Sequence, residues 1–330
     1  MINLITDVPG LKVGNADDSR LASGVTCVLF DEPATASLAI HGGAPGLRDG
    51  ALLEPDMSVE KINALVLSGG SAFGLDAMGG VQGFLREQGV GFRIRDALIP
   101  IVPGAIIFDL LNGGDKNWGR RPPYWDLGYA AARNAAEGVF PLGTVGAGFG
   151  ATTATLKGGL GSASACTAAG FTVGTIVAVN AVGSANIGDG PHFWAAPYEQ
   201  NSEFGGLGFP AGISPEALRA RVKSPDPENT NIAIVATDAR ITKGQAKRLA
   251  VMAHDGMARA LRPAHAPMDG DIVFAAGTGL NDTPVDMAAL ADIGLAMADC
   301  LARAIARGVY EATALPFPNA LPAWRDRFGR

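Results

Sequence analysis

The residue with the most chemical potential is Thr230, in the stretch PDPENTNIAIVATD. A Pro- and Asp-rich linker ends at Asn229, and an apolar run over 232–236 begins two residues after Thr230. An internal threonine hydroxyl is a poor nucleophile, because nothing takes its proton. A threonine at a chain start carries its own base, an α-amine with an ordinary pKa of about 7.7–8.0, which suits proton transfer near neutrality. Cleavage of Asn229–Thr230 would put nucleophile and base on one residue. The linker would permit the cut, and the strand would hold the new terminus. Locally, the same residues also read as a plain strand start, where Asn and Thr are common.

Three further stretches carry chemistry-bearing residues. In LSGGSAFGLDA, over 67–77, a strand runs into a helix through Ser71, and such a junction offers backbone N–H groups to an anion. A nucleophile elbow would need glycine where Phe73 stands, and no GK[ST] follows, so tight packing is the simpler reading. In GTVGAGFGATT, over 143–153, Gly146, Gly148 and Gly150 lack the full dinucleotide fingerprint and its acidic partner. A non-catalytic phosphate or nucleotide binder built on Ser71 and this loop is the alternative function. In MDGD, Asp269 and Asp271 flank a glycine before an apolar run. They could ligate a metal with His265, orient a nucleophile and an ammonium, or form a solvated turn. His41, His192, His254 and His265 are scattered, and no HExxH occurs.

The elements that must position these groups are legible from periodicity. Strands are expected over 25–30, 64–68, 172–179, 231–236 and 271–276, and helices over 72–88, 126–136, 243–261 and 284–311. Thr283 is the expected N-cap of the last helix, with Pro284 at its first position. Met287, Leu290, Ile293, Ala296 and Met297 should form its core stripe. Strands and helices together predict a layered α/β or α+β domain. The Gly-, Pro- and Ser-rich stretch 203–228 reads as a long surface loop. The net charge of −6 argues against nucleic acid, which requires a basic face. Cys27, Cys166 and Cys300 form no CxxC pair or zinc spacing and read as buried free thiols of a reducing compartment. The uncharged stretch 168–188 contains Asn180, Asn186 and several glycines, which fits a buried strand better than a membrane span. No signal peptide is evident, and a soluble cytoplasmic protein is expected.

Taken together, HGGAPGLRD (41–49), LSGGSAFGLDAMGGV (67–81), IVPGAIIFDL (101–110), VGAGFGATTATLKGG (145–159), VAVNAVG (177–183), NTNIAIVATDARITK (229–243) and MDGDIVFAAGTG (268–279) resemble one family. It is that of the self-cleaving N-terminal-nucleophile hydrolases of the L-aminopeptidase/D-esterase type. The Asn-Thr pair and the two aspartates are most similar to its nylon-oligomer (6-aminohexanoate-oligomer) endohydrolase branch. The resemblance implies an αββα sandwich in a single domain, made by a precursor that cuts itself into 1–229 and 230–330. It implies Thr230 as nucleophile, Asn180 as oxyanion donor and Lys157 as a positive charge near the nucleophile. Asp269 and Asp271 would hold the Thr230 ammonium and hydroxyl. Phe108 stands where some members place a tyrosine, and it is assigned with Ser71 to substrate binding. No metal or organic cofactor is implied. The expected substrate is a small peptide or ω-amino-acid oligomer whose free amine would suit an acidic pocket. The expected assembly is a homo-oligomer, often a tetramer.

Overall fold

Strands that are apolar on both faces, as near-continuous apolar runs are, must be covered on both sides, and that requirement organises this chain. The computed structural model describes residues 1–223 and 229–329. In chain order the elements are β1 (Leu11–Asp18), β2 (Ser23–Ile40), β3 (Leu47–Arg48), β4 (Lys61–Ser68), α1 (Ala77–Glu87), β5 (Phe92–Ile94), β6 (Ala97–Ile99), β7 (Gly104–Ile106) and α2 (Tyr124–Arg133). They continue with β8 (Leu160–Cys166), β9 (Thr172–Asn180), β10 (Thr230–Ala239), α3 (Lys243–Ala260), β11 (Ile272–Asn281), α4 (Met287–Tyr310) and α5 (Trp324–Phe328).

The long strand β2 serves two sheets. Its first half pairs with β1 and β4, and its last six residues pair with β11. The hydrogen-bonded order is β3-β7-β4-β2-β11-β10-β9-β8, with β1 also on β2. Asp31, Glu32 and Pro33 are exposed between the two halves of β2. Alternation along the strands separates three cores. Val28, Leu65, Leu67, Ile176, Ile232, Ile234 and Phe274 meet between the sheets. Val177, Val179, Ala233, Val235 and Val273 face α3 and α4. Val25, Cys27, Ala64 and Val66 face α1 and α2. The result is an αββα sandwich. All ten residues of β10 are buried. Each fully buried Val or Ile there contributes about 1.5–3 kcal/mol relative to exposure, so the strand that starts at Thr230 is firmly seated.

The outer helices approach closely through glycine. A Cβ on Gly80 of α1 would lie 2.0 Å from the Trp125 carbonyl oxygen, and one on Gly128 of α2 would lie 2.1 Å from that of Ala77. Gly70 has φ +86, and its Cβ would strike the Tyr124 ring. The glycines of LSGGSAFGLDAMGGV therefore serve packing.

Several expectations need correction. α4 starts at Met287, capped by Asp286, whose carboxylate accepts the Ala289 N–H at 2.8 Å. A carboxylate serves the positive end of the helix better than the Thr283 hydroxyl, and Pro284 stays outside. Met287 in this first turn is 81% exposed, while Leu290, Ile293 and Met297 are buried. The helix expected over 72–88 is a 3-10 turn, Ser71–Asp76, followed by α1. Cys27 and Cys300 are buried, but Cys166 is exposed. The stretch expected to be a surface loop starts inside the protein, because Glu203 forms a buried two-point ion pair with Arg303 of α4. The last five residues before Asn229, 224–228, lie outside the described residues. Among the described residues no helix is long and apolar enough to cross a membrane.

Removing Arg303 leaves buried Glu203 with only the more distant Arg307 guanidinium, at 3.5 Å, as an ion-pair partner among the described residues. Arg303→Met is expected to cost about 3–5 kcal/mol in urea unfolding. Adding Glu203→Gln should restore part of that loss, and an unchanged double variant would contradict the pairing.

Candidate active site

Two chain segments meet at the start of β10 because β10 and β11 run parallel. Asn229 bridges to Asp269, and Thr230 lies opposite Asn180 of antiparallel β9. The Asn229 carbonyl accepts the Gly270 N–H at 3.0 Å. The Thr230 hydroxyl donates to the same oxygen. Hydroxyl, carbonyl and backbone donor are thus gathered at one peptide bond. Gly270 is required for this approach, since a Cβ there would lie 2.5 Å from Thr230 Oγ1 and 2.7 Å from the Ala44 carbonyl oxygen.

The two carboxylates have separate environments. Asp271 Oδ1 accepts from Asn231 N at 3.0 Å and Asn231 Nδ2 at 2.7 Å, and Oδ2 accepts from His265 N at 3.0 Å and pairs with His265 Nδ1 at 2.7 Å. Burial opposes ionisation, but the His265 ring and the Asn231 donors together hold this carboxyl below its ordinary value. Asp269 Oδ1 accepts the Gly270 N–H at 3.0 Å, while its buried Oδ2 has no hydrogen-bond partner among the described residues. Burial first, and then the neighbouring Asp271 charge, push the Asp269 carboxyl well above its ordinary range. One carboxyl is therefore ionised and the other protonated at neutral pH, the separation that assigns different acid–base roles to neighbouring groups.

Asn180 is fixed at both ends. Its Oδ1 accepts from the Thr152 N–H at 3.0 Å and from Lys223 Nζ at 3.1 Å, and its Nδ2 donates to the Phe108 carbonyl at 3.0 Å. Lys157 is buried, and its Nζ donates to the carbonyls of Gly148, Ala151 and Gly158 at 2.8–3.1 Å. Burial pulls its pKa down to about 7, with Asp109 working the other way and Lys223 adding to the fall. Only the protonated amine supplies three N–H donors, so the carbonyl cradle favours the ammonium. Phe108, Thr152, Lys157, Lys223 and Asp109 share the wall of a cavity of about 350 Å³, within the size range of small-molecule sites. Two lysines against one carboxyl make the described wall less acidic than expected. Asp109 is itself buried, accepting from Ser23 Oγ at 2.6 Å and the Gly70 N–H at 2.8 Å, and burial raises its pKa.

Neither Thr230 nor Ser71 is among the described residues lining this cavity. The Ser71 N–H goes to the Ile107 carbonyl at 2.9 Å. In the glycine loop the Gly146 N–H donates to Asp17 and the Ala147 N–H to Thr26, each at 3.0 Å, so these amides are already engaged and do not favour a phosphate cradle. Gly270, Asn231, Thr152, Asp109 and Lys223 were not singled out from sequence. Asn231 and Gly270 sit inside NTN and MDGD, so proximity in sequence was a signal for those two. For Asp109 and Lys223 only the fold provides one. The scattered histidines are gathered in part: His41, His254 and His265 lie together beside Asp271.

Residues 3–320 match peptidase family S58. A protein of Mycobacterium tuberculosis (strain ATCC 25618 / H37Rv), described as an uncharacterized aminopeptidase, is 41% identical over 99% of this chain and 98% of its own length. The 6-aminohexanoate-oligomer endohydrolase of Agromyces sp. (strain KY5R) is 28% identical over 84% of this chain and 76% of its own. The fold is shared with a Burkholderia sp. β-aminopeptidase, at TM-score 0.73, 21% identity and coverage of 100% of this chain and 92% of that one. It is shared too with the L-aminopeptidase D-Ala-esterase/amidase of Ochrobactrum anthropi, which has a variant of the Ntn-hydrolase fold, at TM-score 0.72, 22% identity and coverage of 99% and 92%.

The raised Asp269 carboxyl has a definite pH signature. Below the unfolded value of about 3.9 both states hold the proton. As pH rises toward the native value, the unfolded chain ionises first and native stability falls, by up to about 1.4 kcal/mol per pH unit. Asp271 has the opposite sign: its contribution is present above the unfolded value and lost as pH falls through the native one. In a Thr230→Ala background, Asp269→Asn should therefore raise Tm more at pH 8 than at pH 4. Equal shifts at both pH values would overturn the assignment.

Proposed function

The chain belongs to peptidase family S58, and we propose that it activates itself by cutting Asn229–Thr230 and then hydrolyses amide bonds with Thr230 as its N-terminal nucleophile. Its family membership makes it a peptide-bond hydrolase. The observation that carries the finer reading is the Thr230 hydroxyl on the Asn229 carbonyl, itself held by the Gly270 N–H.

In the first step Thr230 Oγ forms a bond to the Asn229 carbonyl carbon. The carbonyl oxygen gains negative charge where the Gly270 N–H already points. The carbon–nitrogen bond to Thr230 then breaks, and the hydroxyl proton ends on the freed α-amine. Water hydrolyses the resulting ester, releasing the Asn229 carboxylate and restoring the hydroxyl. In turnover the α-amine accepts the Thr230 proton as Oγ attacks the substrate carbonyl, and it returns a proton to the leaving amine. Water then cleaves the acyl ester.

The Gly270 N–H is the backbone oxyanion donor in this reading, with the Asn180 amide as the side-chain donor. Asp271 positions Asn231, next to the nucleophile. A new α-ammonium near Asp269 would favour the ionised form of that carboxyl, so Asp269 becomes the counter-charge that holds the terminus. Lys157 adds positive potential at the cavity wall. Small peptides or ω-amino-acid oligomers are the proposed substrates, with Lys223 facing the acidic end of the substrate. The cut protomer would work as a homo-oligomer.

Denaturing mass measurement of the purified protein should give two chains, 1–229 and 230–330. Thr230→Ala should stay as one chain and lose activity by about 10³-fold or more, whereas Thr230→Ser should still be cut. A cleaved and active Thr230→Ala protein would sink the proposal. Gly270→Ala keeps the N–H but places a methyl group 2.5 Å from Thr230 Oγ1, and should slow cleavage by about 10²-fold as hydroxyl and donor are pushed out of register. Activity of the cut enzyme should rise with pH as the terminal ammonium loses its proton near its ordinary value of about 7.7–8.0. A flat profile from pH 6 to 9 would exclude the amine as base.

A further inference from the structure

Behind Asp271, on the side away from Asn231, three imidazoles converge from distant parts of the chain. His41 follows the end of β2, His254 lies on α3, and His265 lies in the loop before β11. One ring nitrogen from each lies within 4.8 Å of the other two. We propose that His41, His254 and His265 form a binding site for one divalent transition-metal ion of the zinc class.

The partners of the rings already fix their lone pairs. His254 Nε2 lies 3.0 Å from the Ala39 carbonyl, which can only accept, so this nitrogen carries the hydrogen. The lone pair is then on Nδ1, and that atom is buried with no hydrogen-bond partner among the described residues. His254 as a whole is 1% exposed. An acceptor left unsatisfied at such depth carries a desolvation cost, and an ion bound there removes it. His265 Nδ1 faces Asp271 Oδ2 at 2.7 Å, which leaves Nε2 as the ligand atom. A ligating histidine characteristically gives its second N–H to a carbonyl or a carboxylate. His254 and His265 supply one example of each.

His41 is the adjustable member. Its main-chain N–H is anchored to the Asp271 carbonyl at 3.1 Å, and its side chain is exposed. Its ring now stacks on that of His254, with centroids 3.9 Å apart and an interplanar angle of 17°. Zinc–nitrogen bonds of about 2.0–2.1 Å in a tetrahedron place ligand atoms about 3.4 Å apart, so binding requires the His41 ring to tilt out of that stack. An all-imidazole set favours zinc, copper, nickel or cobalt over magnesium or calcium, which prefer oxygen. Three protein ligands with one exposed edge leave a coordination position open to water. The ion would restrain His265 and, through it, the Asp271 carboxylate that holds Asn231. The site thus lies beyond the hydrolytic machinery but is mechanically joined to it.

Cobalt(II) is the probe, because its four-coordinate complexes absorb visibly. Full-length, tag-free protein carrying Cys166→Ser, which removes the exposed thiol, is stripped with EDTA and dialysed before titration. One equivalent should bind with the absorption of a four-coordinate site, zinc should displace it, and zinc should raise Tm. His41→Ala, at an exposed position outside the hydrolytic site, should weaken binding by at least about tenfold and abolish the Tm gain. No saturable uptake, or equal affinity in His41→Ala, would overturn the site. His254→Phe serves as a second variant. If it folds, as judged by circular dichroism, and still binds cobalt tetrahedrally, the assignment is wrong.

Discussion

The parallel pairing of β10 with β11 is the interaction on which the rest depends. Parallel strands start at the same end of a sheet, so the residues entering β10 lie beside those entering β11. That places Asn229 against Asp269 and the Gly270 N–H on the Asn229 carbonyl. An antiparallel neighbour would have put the start of β10 beside the end of β11, far from both aspartates. Parallel pairs require a long crossover, and α3 provides it while covering the outer face of the sheet. The helix that makes the pairing possible also carries His254 into the cluster behind Asp271.

Around this pairing the protein keeps many polar groups out of water. Asn180, Asn229, Thr230, Asn231, Asp269, Asp271 and Lys157 are all buried. Such a concentration is costly unless each group is bonded. Asp271 is fully engaged by Asn231 and His265, and Lys157 by three carbonyls. Asn231 Oδ1 and one Asp269 oxygen have no hydrogen-bond partner among the described residues, and the Asp269 carboxyl is driven toward the neutral form. An under-satisfied acid beside the Asn229–Thr230 peptide bond carries a desolvation cost, which a cation placed there would relieve.

Rigidity comes from the three cores rather than from the site. β10 is buried on both faces, between the opposing sheet and the α3–α4 layer. The other side of the sandwich is drawn tight by glycines at the α1–α2 crossing. Because Thr230 is the first residue of so well-packed a strand, its position is set by the whole four-layer stack. The cavity, in contrast, is walled by residues from separated loops, such as Phe108, Thr152 and Lys223.

The sequence alone makes legible the most strongly periodic strands and helices, the junction at Thr230 and the paired aspartates, because these are local properties of hydropathy period, turn composition and residue spacing; it does not reveal β1 or β8, whose Gly, Ser and Asp residues blur the strand pattern. The extents of α3 and β9 came out within about a residue, as strongly periodic segments do. It did not determine the start of α4, where Asp286 outcompeted Thr283 for the helix end, nor the burial of Glu203, whose partner Arg303 lies 100 residues away. The oxygen that Gly270 faces, the pairing of Asp271 with Asn231 and His265, the carbonyl cradle of Lys157 and the convergence of three of the four scattered histidines come from packing between distant segments. Each of these depends on strand register and layer packing between distant segments, and no local pattern of side chains encodes such distances.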